Sequence, residues 1–394
     1  MRTSPRDILI IGAGIGGLCL AQGLRKSGMR VTVFERDHSP RFRYQGYRIH
    51  INPFGSRALM DCLPHDLFEL FVETSGRSPN GQFVVFDEQL RQQLRRPLPS
   101  PPEITAEANR LTMREILLAG LVDTVVFSKT FTRFEVTDTQ RVRVLFADGS
   151  FVEGDVLVGA DGANSAVRRL LAPQAQFGES GRVIYGKTPL TPAVASSVPD
   201  QFLNGMSRVS AGKTAMGFGA YRKRTEFDIA IARHAPNLML TATDDFLMWT
   251  VTSDSIAISD AEFRGASAQS LHDIVKGLTE GWHPVVRGIV DAAEIDATFP
   301  IFLRYAQPTE RWPVGPVTLL GDAAHLMPPF RGVGANTALR DASKLCEQLI
   351  EVERGEKSLL NAISEYETDM LAFGFGMVKN SVERPLFGKA PAQS

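Results

Sequence analysis

Apolar residues run unbroken over residues 8–11 and give way to glycine at Gly12. A short apolar run bounded by turn residues reads as a buried parallel strand. Over 16–26 the apolar positions Leu18, Ala21 and Leu24 recur at helical spacing, and Gly28 ends the pattern. Residues 29–35 alternate and read as a second strand, so the chain opens on a βαβ unit. Residues 41–60 read as a long irregular stretch ending in a helix start, 95–103 as an exposed proline-rich connector, and 108–121 as an amphipathic helix. Segments 124–136 and 141–161 read as strands, with Asp148-Gly149 as a hairpin turn.

The pattern changes after residue 180. The runs 181–187, 214–222, 227–232 and 246–253 all read as strands, and 267–279 reads as a helix. This block is expected to be a mostly antiparallel sheet set between two parts of the first domain. Residues 316–322 return to a buried strand, 334–355 form a long helix closed by Gly355, and 358–380 form the last helix.

Length and composition sharpen this reading. A chain of 394 residues is too long for one ordinary core and fits two joined domains. A net charge of -1 gives no basic field to attract nucleic acid or an anionic membrane. Cys19, Cys62 and Cys346 lie far apart without metal-ligand spacing, so neither a disulfide scaffold nor a metal site is expected. No stretch is long and apolar enough to span a bilayer, and the N-terminal apolar run is broken by glycines rather than followed by a cleavage pattern. A cytoplasmic protein is the expectation.

Three motifs carry chemistry. In the first, Gly12-x-Gly14-x-x-Gly17, Gly12 permits a tight turn, Gly14 lets the backbone approach a pyrophosphate, and Gly17 lets helix pack on strand. The helix start at Ile15 and Gly16 offers free N–H groups to phosphate, and Glu35 ends the second strand where an acid accepts ribose hydroxyls. The turn by itself does not separate NAD from FAD. The second motif takes a buried strand into Asp161-Gly162, Ser165 and Arg168; a turn followed by a capped helix accounts for all but Arg168. In the third, a strand delivers Asp322 at its C-terminal end with Gly321, Ala323 and Ala324 beside it. Pro328-Pro329 holds an extended course, and Gly332 and Gly334 precede a long helix whose N-terminus is a second place for negative charge.

Taken in order, the glycine turn with Glu35, "GADGANSAVR" and "LLGDAAHLMPPFRGVGANTALRDA" resemble the single-component (class A) FAD-dependent monooxygenases of the p-hydroxybenzoate hydroxylase family. The length and the phrase "GDAAHLMPPF" look similar to compact members such as the tetracycline-inactivating monooxygenases, without the C-terminal thioredoxin-like domain of larger polyketide hydroxylases. The resemblance covers the first 170 residues and 298–350. It implies an α/β fold: a Rossmann-like FAD-binding domain of the GR2 type over 1–175, with substrate-domain strands near 75–105. A substrate-binding β-sheet domain over 176–300 follows, then a return to the FAD domain with C-terminal helices over 301–394.

By the same resemblance Asp322 holds the ribityl or ribose part of FAD, Asp161, Gly162 and Arg168 lie near the pyrophosphate, and Glu35 with Arg36 meets the adenosine ribose. The phrase "NRLTMR" offers Arg110 first and Arg114 second as flavin-side contacts, and Arg48 falls on the second flavin loop. Gly334 and Ala335 match the helix start facing the flavin pyrimidine edge. Pro328 lies beside the flavin face where oxygen reacts, with Gly332 near it. The implied cycle is reduction of FAD by NADPH or NADH, addition of O2 to give a flavin C4a-hydroperoxide, and transfer of one oxygen to an aromatic or polycyclic, natural-product-like small molecule. Hydroxylation leads; epoxidation and Baeyer–Villiger insertion use the same oxidant. Expected partners are the substrate and O2, with no nucleic acid or membrane, and the chain is expected to be a monomer or homodimer.

Phe218, Phe246, Trp249 and Phe302, with Phe299, are candidates to line a flat apolar pocket, although alternate strand residues also simply fill a core. His325 reads as a packing residue before a base, and His50 as a candidate neighbour of the flavin loop. Other classes fit less. A flavin halogenase would need a "WxWxIP" phrase, a nicotinamide dehydrogenase leaves Asp161 and Asp322 idle, and a non-catalytic binding protein of the same fold needs no intact GD motif.

Overall fold

The computed structural model describes residues 5–39, 47–77, 82–97 and 104–383. Segments 41–46 and 98–103, expected to be irregular and connecting, lie outside them. Where those two readings reach described residues, the structure is more regular than expected. Arg48–Ile51 is a strand, Pro53–Cys62 a helix capped by Asn52, and residues 95–97 close the strand Gln92–Pro97.

A five-stranded parallel sheet forms the first layer. Its strands lie side by side in the order Val317–Leu319, Val156–Gly159, Asp7–Ile11, Arg30–Phe34 and Val125–Val126. Ile8, Ile10, Val156, Leu157, Val158 and Leu319 are solvent-free, which is why these runs are apolar without alternation. Helix Ile15–Lys26 packs on the sheet and against the long helix Gly334–Glu353. Its close seat depends on Gly17, where a Cβ would overlap the Gly12 carbonyl oxygen. The hairpin at Asp148-Gly149 forms as expected, with Gly149 at φ +82° between Val142–Phe146 and Phe151–Gly154.

The second layer is a seven-stranded sheet ordered Phe299–Ala306, Phe177–Pro189, Phe246–Ser253, Thr214–Tyr221, Met206–Ala211, Gln82–Asp87 and Gln92–Pro97. All pairs are antiparallel except Met206–Ala211 with Gln82–Asp87. Its register decides function. Ile184, Val251, Met216, Val209 and Phe86 stand in one row and face the helices Ala268–Leu278 and Pro284–Asp291, sharing one core with them. The next row, Tyr185, Thr250, Gly217, Arg208 and Val85, faces the opposite way, towards the parallel sheet.

One expected strand is a helix. Residues 227–232 alternate, yet Phe227–His234 is helical, with Asp228 in its first turn and Arg233 and His234 in its last. Phe227 and Ala230, three apart, are its buried positions, and it packs on the helix His65–Thr74. Charges matched to the helix dipole and a nearby helical surface override the alternating pattern.

Candidate active site

Two cavities meet between the layers. The first, of about 330 Å³, is walled by Gly14, Ile15, Gly16 and Gly17, by Gly321, Asp322, Gly334 and Ala335, and by the inner face of the seven-stranded sheet. The second, of about 430 Å³, is walled by Gly12, Gly14, Glu35, Arg36, Arg114, Asp161 and Gly162. Gly14, Tyr47, Arg110, Ala160 and Gly162 line both, so the cavities are joined. The three sequence motifs therefore converge on one continuous space.

The glycine turn leaves the strand at Gly12, whose φ of +108° is open to glycine alone, and whose Cβ would strike Ala160. Gly14 is different: its φ is -79°, and a Cβ there would meet nothing within 4 Å. The open side faces the cavities. Helix Ile15–Lys26 starts there with no side-chain cap, leaving its first N–H groups to the cavity. Glu35 holds the turn from beneath. Its Oε2 accepts from Ala13 N at 2.8 Å, its Oε1 accepts from Asp37 N at 3.0 Å, and Arg114 Nε donates to the Ala13 carbonyl at 3.0 Å.

At the second motif Asp161 Oδ2 accepts from Ala166 N at 2.6 Å, at the start of the helix Ala166–Leu171. Its other oxygen, Oδ1, is buried and has no hydrogen-bond partner among the described residues. A buried carboxylate oxygen beside a glycine turn with φ +74° at Gly162 is the feature a bound polar group would complete. Arg168 does not line either cavity. It donates to the carbonyls of Ala323 at 3.1 Å and Ala163 at 3.0 Å and covers the Phe177 ring, so it ties the second motif to the third. Burial pulls its guanidinium down to about 10.

The third motif enters through Gly321, at φ +64°, where a Cβ would lie 2.8 Å from that of Ala338. Asp322 then begins a short helix at the wall of the first cavity. Burial pushes its carboxyl up, against the pull of His325 and Arg110. His325 is solvent-free and bonded to Asp341, as the packing reading expects. Pro328 precedes the turn Pro329–Arg331, and Met327, Pro329, Arg331 and Gly332 line the cavity beside it. The helix Gly334–Glu353 begins without a side-chain cap, so a second uncapped N-terminus faces the same space.

Strand alternation turns Trp249, Phe218 and Phe302 to the helix-facing side, whereas Phe246 shares the face of Met248 and Thr250 and is covered by packing. Trp249 lies on the helix-facing side, solvent-free, with its Nε1 donating to Thr188 Oγ1 at 3.1 Å. Phe246 is sealed at the strand end under Tyr221, with ring centroids 5.1 Å apart. Phe302 packs edge-on against Phe263, in the same helical layer. Phe218 contributes to the wall, but its ring stacks on Phe202 at 4.4 Å on the far face. The inner face is instead made by Met206, Val183, Tyr185, Met248 and Thr250. Phe299 stacks on Tyr185 at 5.4 Å, beside Tyr47. The alternation within 181–187 and 246–253 already divides these strands into two faces; only the layer partner says which face is the cavity.

Arg48 and His50 both line the first cavity and share a carboxylate that sequence reasoning missed. Glu107, buried on the strand Ala106–Asn109, lies 2.7 Å from Arg48 Nη2 and 2.8 Å from His50 Nδ1. Arg48 also donates to the Ala220 carbonyl at 3.0 Å and lies over Gly219, where only glycine leaves it room. A lone glutamate on a short strand carries no pattern that would have marked it. Among the described residues, no group of three or more His, Cys, Asp or Glu side chains is arranged to hold a metal ion, and no helix is long and apolar enough to cross a membrane.

Comparison with known proteins adds a family context. Residues 296–381 match a model of an FAD binding domain, and 10–69 match a model of an NAD(P)-binding Rossmann-like domain. The fold superposes on a Photorhabdus luminescens protein assigned as an FAD-containing monooxygenase with a TM-score of 0.82 and 34% identity, covering 95% of this chain and 96% of that one. The chain is 33% identical over 373 residues to a dual O-methyltransferase/FAD-dependent monooxygenase of Phaeosphaeria nodorum, covering 86% of this chain and 39% of that protein. It is 29% identical over 396 residues to an FAD-dependent monooxygenase of Trichoderma harzianum, covering 95% of this chain and 92% of that one. The chain thus spans 39% to 44% of the length of its fungal dual-function relatives.

Proposed function

This chain belongs to the single-component (class A) FAD-dependent monooxygenases, and from that membership we propose that it uses NADPH or NADH and O2 to insert one oxygen atom into an aromatic or polycyclic small molecule, by hydroxylation. The observation that carries the reading is that Asp322 and the Gly14–Gly17 turn wall one cavity, joined to a second that holds Glu35 and Asp161 Oδ1, which has no partner among the described residues.

Bound FAD would supply the redox and oxygen-activating chemistry; the side chains supply position and field. Glu35, Arg36 and Asp161 hold the adenosine and pyrophosphate end. Asp322, at the first cavity, and Arg110, at both, would hold the sugar part of the cofactor. The uncapped helix start at Gly334 and Ala335 favours negative charge on the ring end of the cofactor. Met206, Val183, Tyr185, Met248 and Thr250 form a largely apolar seat for the substrate and exclude water from the reacting face. In this reading the FAD-binding parts are 1–175 and 301–394 and the substrate sheet is 176–300. The protein works in the cytoplasm, where Cys19, Cys62 and Cys346 stay as thiols, and acts as a monomer or homodimer.

The test is direct. Purified protein is expected to release one equivalent of FAD on denaturation and to oxidise NAD(P)H faster when an aromatic substrate is added, with less peroxide released per turnover. Protein without flavin, under conditions that preserve its fold, overturns the reading.

A further inference from the structure

Arg48 reaches from the strand Arg48–Ile51 to the inner face of the seven-stranded sheet. Its side chain is 3% exposed and rests against Gly219, where a Cβ would lie 2.7 Å from Nη1 and 2.9 Å from Cζ. In register Gly219 stands between Met206 and Met248, and all three line the first cavity together with Arg48. The apolar seat therefore has one gap, at the residue without a side chain, and a guanidinium fills it.

Two of the three guanidinium nitrogens are engaged. Nε donates to the Ala220 carbonyl at 3.0 Å, and Nη2 lies 2.7 Å from Glu107 Oε2. Nη1 makes no hydrogen bond or ion pair with the described residues. Its neighbours on the sheet, Met206 and Met248, are thioethers and only weak acceptors. The other two arginines of this cavity are not free: Arg110 lies over the Tyr47 ring, and Arg331 has a partner of its own. A buried donor left unmatched by the protein's own groups is completed by what the cavity binds.

Charge decides what that is. Glu107 is buried beside Arg48 and cancels its charge, and its other oxygen lies 2.8 Å from His50 Nδ1. A carboxylate at Nη1 would stand close to the Glu107 carboxylate in a wall with little water to screen the two. A neutral oxygen gains the donor without that repulsion.

We propose that Arg48 Nη1, charge-matched by Glu107, is a subsite for a neutral carbonyl oxygen, and that the substrate is an aromatic or polycyclic ketone whose carbonyl sits on Arg48 between Met206 and Met248. This rests on the oxygenase reading for what happens to the ring, but the binding claim stands apart from it. Glu107 is then a specificity-determining residue: its charge sets which oxygen the arginine accepts.

The test uses full-length protein with oxidised flavin and no reductant, at about pH 8, where an ordinary imidazole is neutral. Calorimetry compares three probes of one shape: 2-acetylnaphthalene, the hydrocarbon 2-isopropenylnaphthalene and 2-naphthoate. The ketone is expected to bind about 10-fold more tightly than either of the others, the effect of one hydrogen bond from a charged donor. Glu107→Gln keeps the shape and removes the cancelling charge. It is expected to shift the preference to the acid by about 10-fold or more while the ketone changes little. Arg48→Met combined with Glu107→Gln removes both charges and is expected to erase the ketone's advantage over the hydrocarbon. Should these variants fold poorly, the unaltered protein decides: naphthoate binding more tightly than the ketone overturns the proposal. So does equal binding of ketone and hydrocarbon, or an acid-to-ketone ratio that Glu107→Gln leaves unchanged. Flavin-bearing protein without ketone preference overturns this inference alone. Flavin-free protein overturns the oxygenase reading, and the same ratios measured on it still decide the binding claim.

Discussion

His325 Nε2 lies 2.6 Å from Asp341 Oδ2, and both side chains are solvent-free. The same Asp341 oxygen accepts from Gly321 N at 3.1 Å. One carboxylate on the long helix therefore holds both ends of the short turn that presents Asp322. Removing one member of a buried pair strands the other, which costs about 3–5 kcal/mol. Asp341→Asn is expected to lower stability by that order and to weaken FAD retention, read by thermal melting and by flavin fluorescence.

The pair also sets a pH dependence. Burial opposes charge on His325, but the Asp341 carboxylate outweighs it and holds the imidazole above its ordinary value. A raised folded-state value means that the stabilisation is complete below the unfolded histidine range, near pH 6.5, and is lost as pH rises through the folded value. The gap in melting temperature between the unaltered protein and His325→Gln is expected to be widest in mild acid and to narrow with rising pH. A gap that widens towards alkaline pH contradicts the assignment.

Asp322 faces the cavity, whereas Asp341 lies behind it. Asp322→Asn is expected to leave the melting temperature of cofactor-free protein within a few degrees. It is also expected to weaken FAD binding about 10- to 100-fold, the loss of a charge-assisted hydrogen bond. Titration of cofactor-free protein with FAD measures both.

Gly12 and Gly14 make a contrasting pair. A side chain at Gly12 meets backbone at φ +108°, whereas one at Gly14 meets nothing. Gly12→Ala is expected to damage the fold. Gly14→Val is expected to fold normally by circular dichroism and yet to purify without flavin, because its side chain occupies the space between the cavities.

Trp249 and Met248 separate core from site. Trp249→Ala removes a solvent-free indole and is expected to destabilise by about 3–5 kcal/mol. Met248→Ala is expected to cost less stability and to change which aromatic compounds accelerate NAD(P)H oxidation. If Trp249→Ala alone changes that selectivity, the facing of the strand Phe246–Ser253 is misassigned.

Much of this was legible in the chain. The apolar runs before Gly12, Asp161 and Asp322 declare buried strands, and the glycines after them declare backbone that must turn tightly or approach a ligand. Those are local requirements, and each motif carries its own. Legibility failed where the signal was shared between two structures. The run 227–232 alternates like a strand but also places Phe227 and Ala230 on one side of a helix. Arg168 stands inside a motif whose neighbours line the cavity, yet its partners are the carbonyls of Ala323 and Ala163.

The sequence by itself determined the βαβ opening, the three strand-end turns and a dinucleotide site, because strand, glycine turn and helix start are specified by residues close in the chain. Tertiary structure decided the rest. It chose which face of the seven-stranded sheet became the cavity, because alternation marks two faces alike until one is covered by helices. It joined Glu107 to Arg48 and His50, and it drew the remote Cys19, Cys62 and Cys346 into one buried cluster around Gly23, where a Cβ would lie 2.8 Å from Cys346 Sγ and 3.0 Å from Cys62 Sγ. Contacts between segments so distant in the chain follow from how whole layers pack, and no local pattern encodes that.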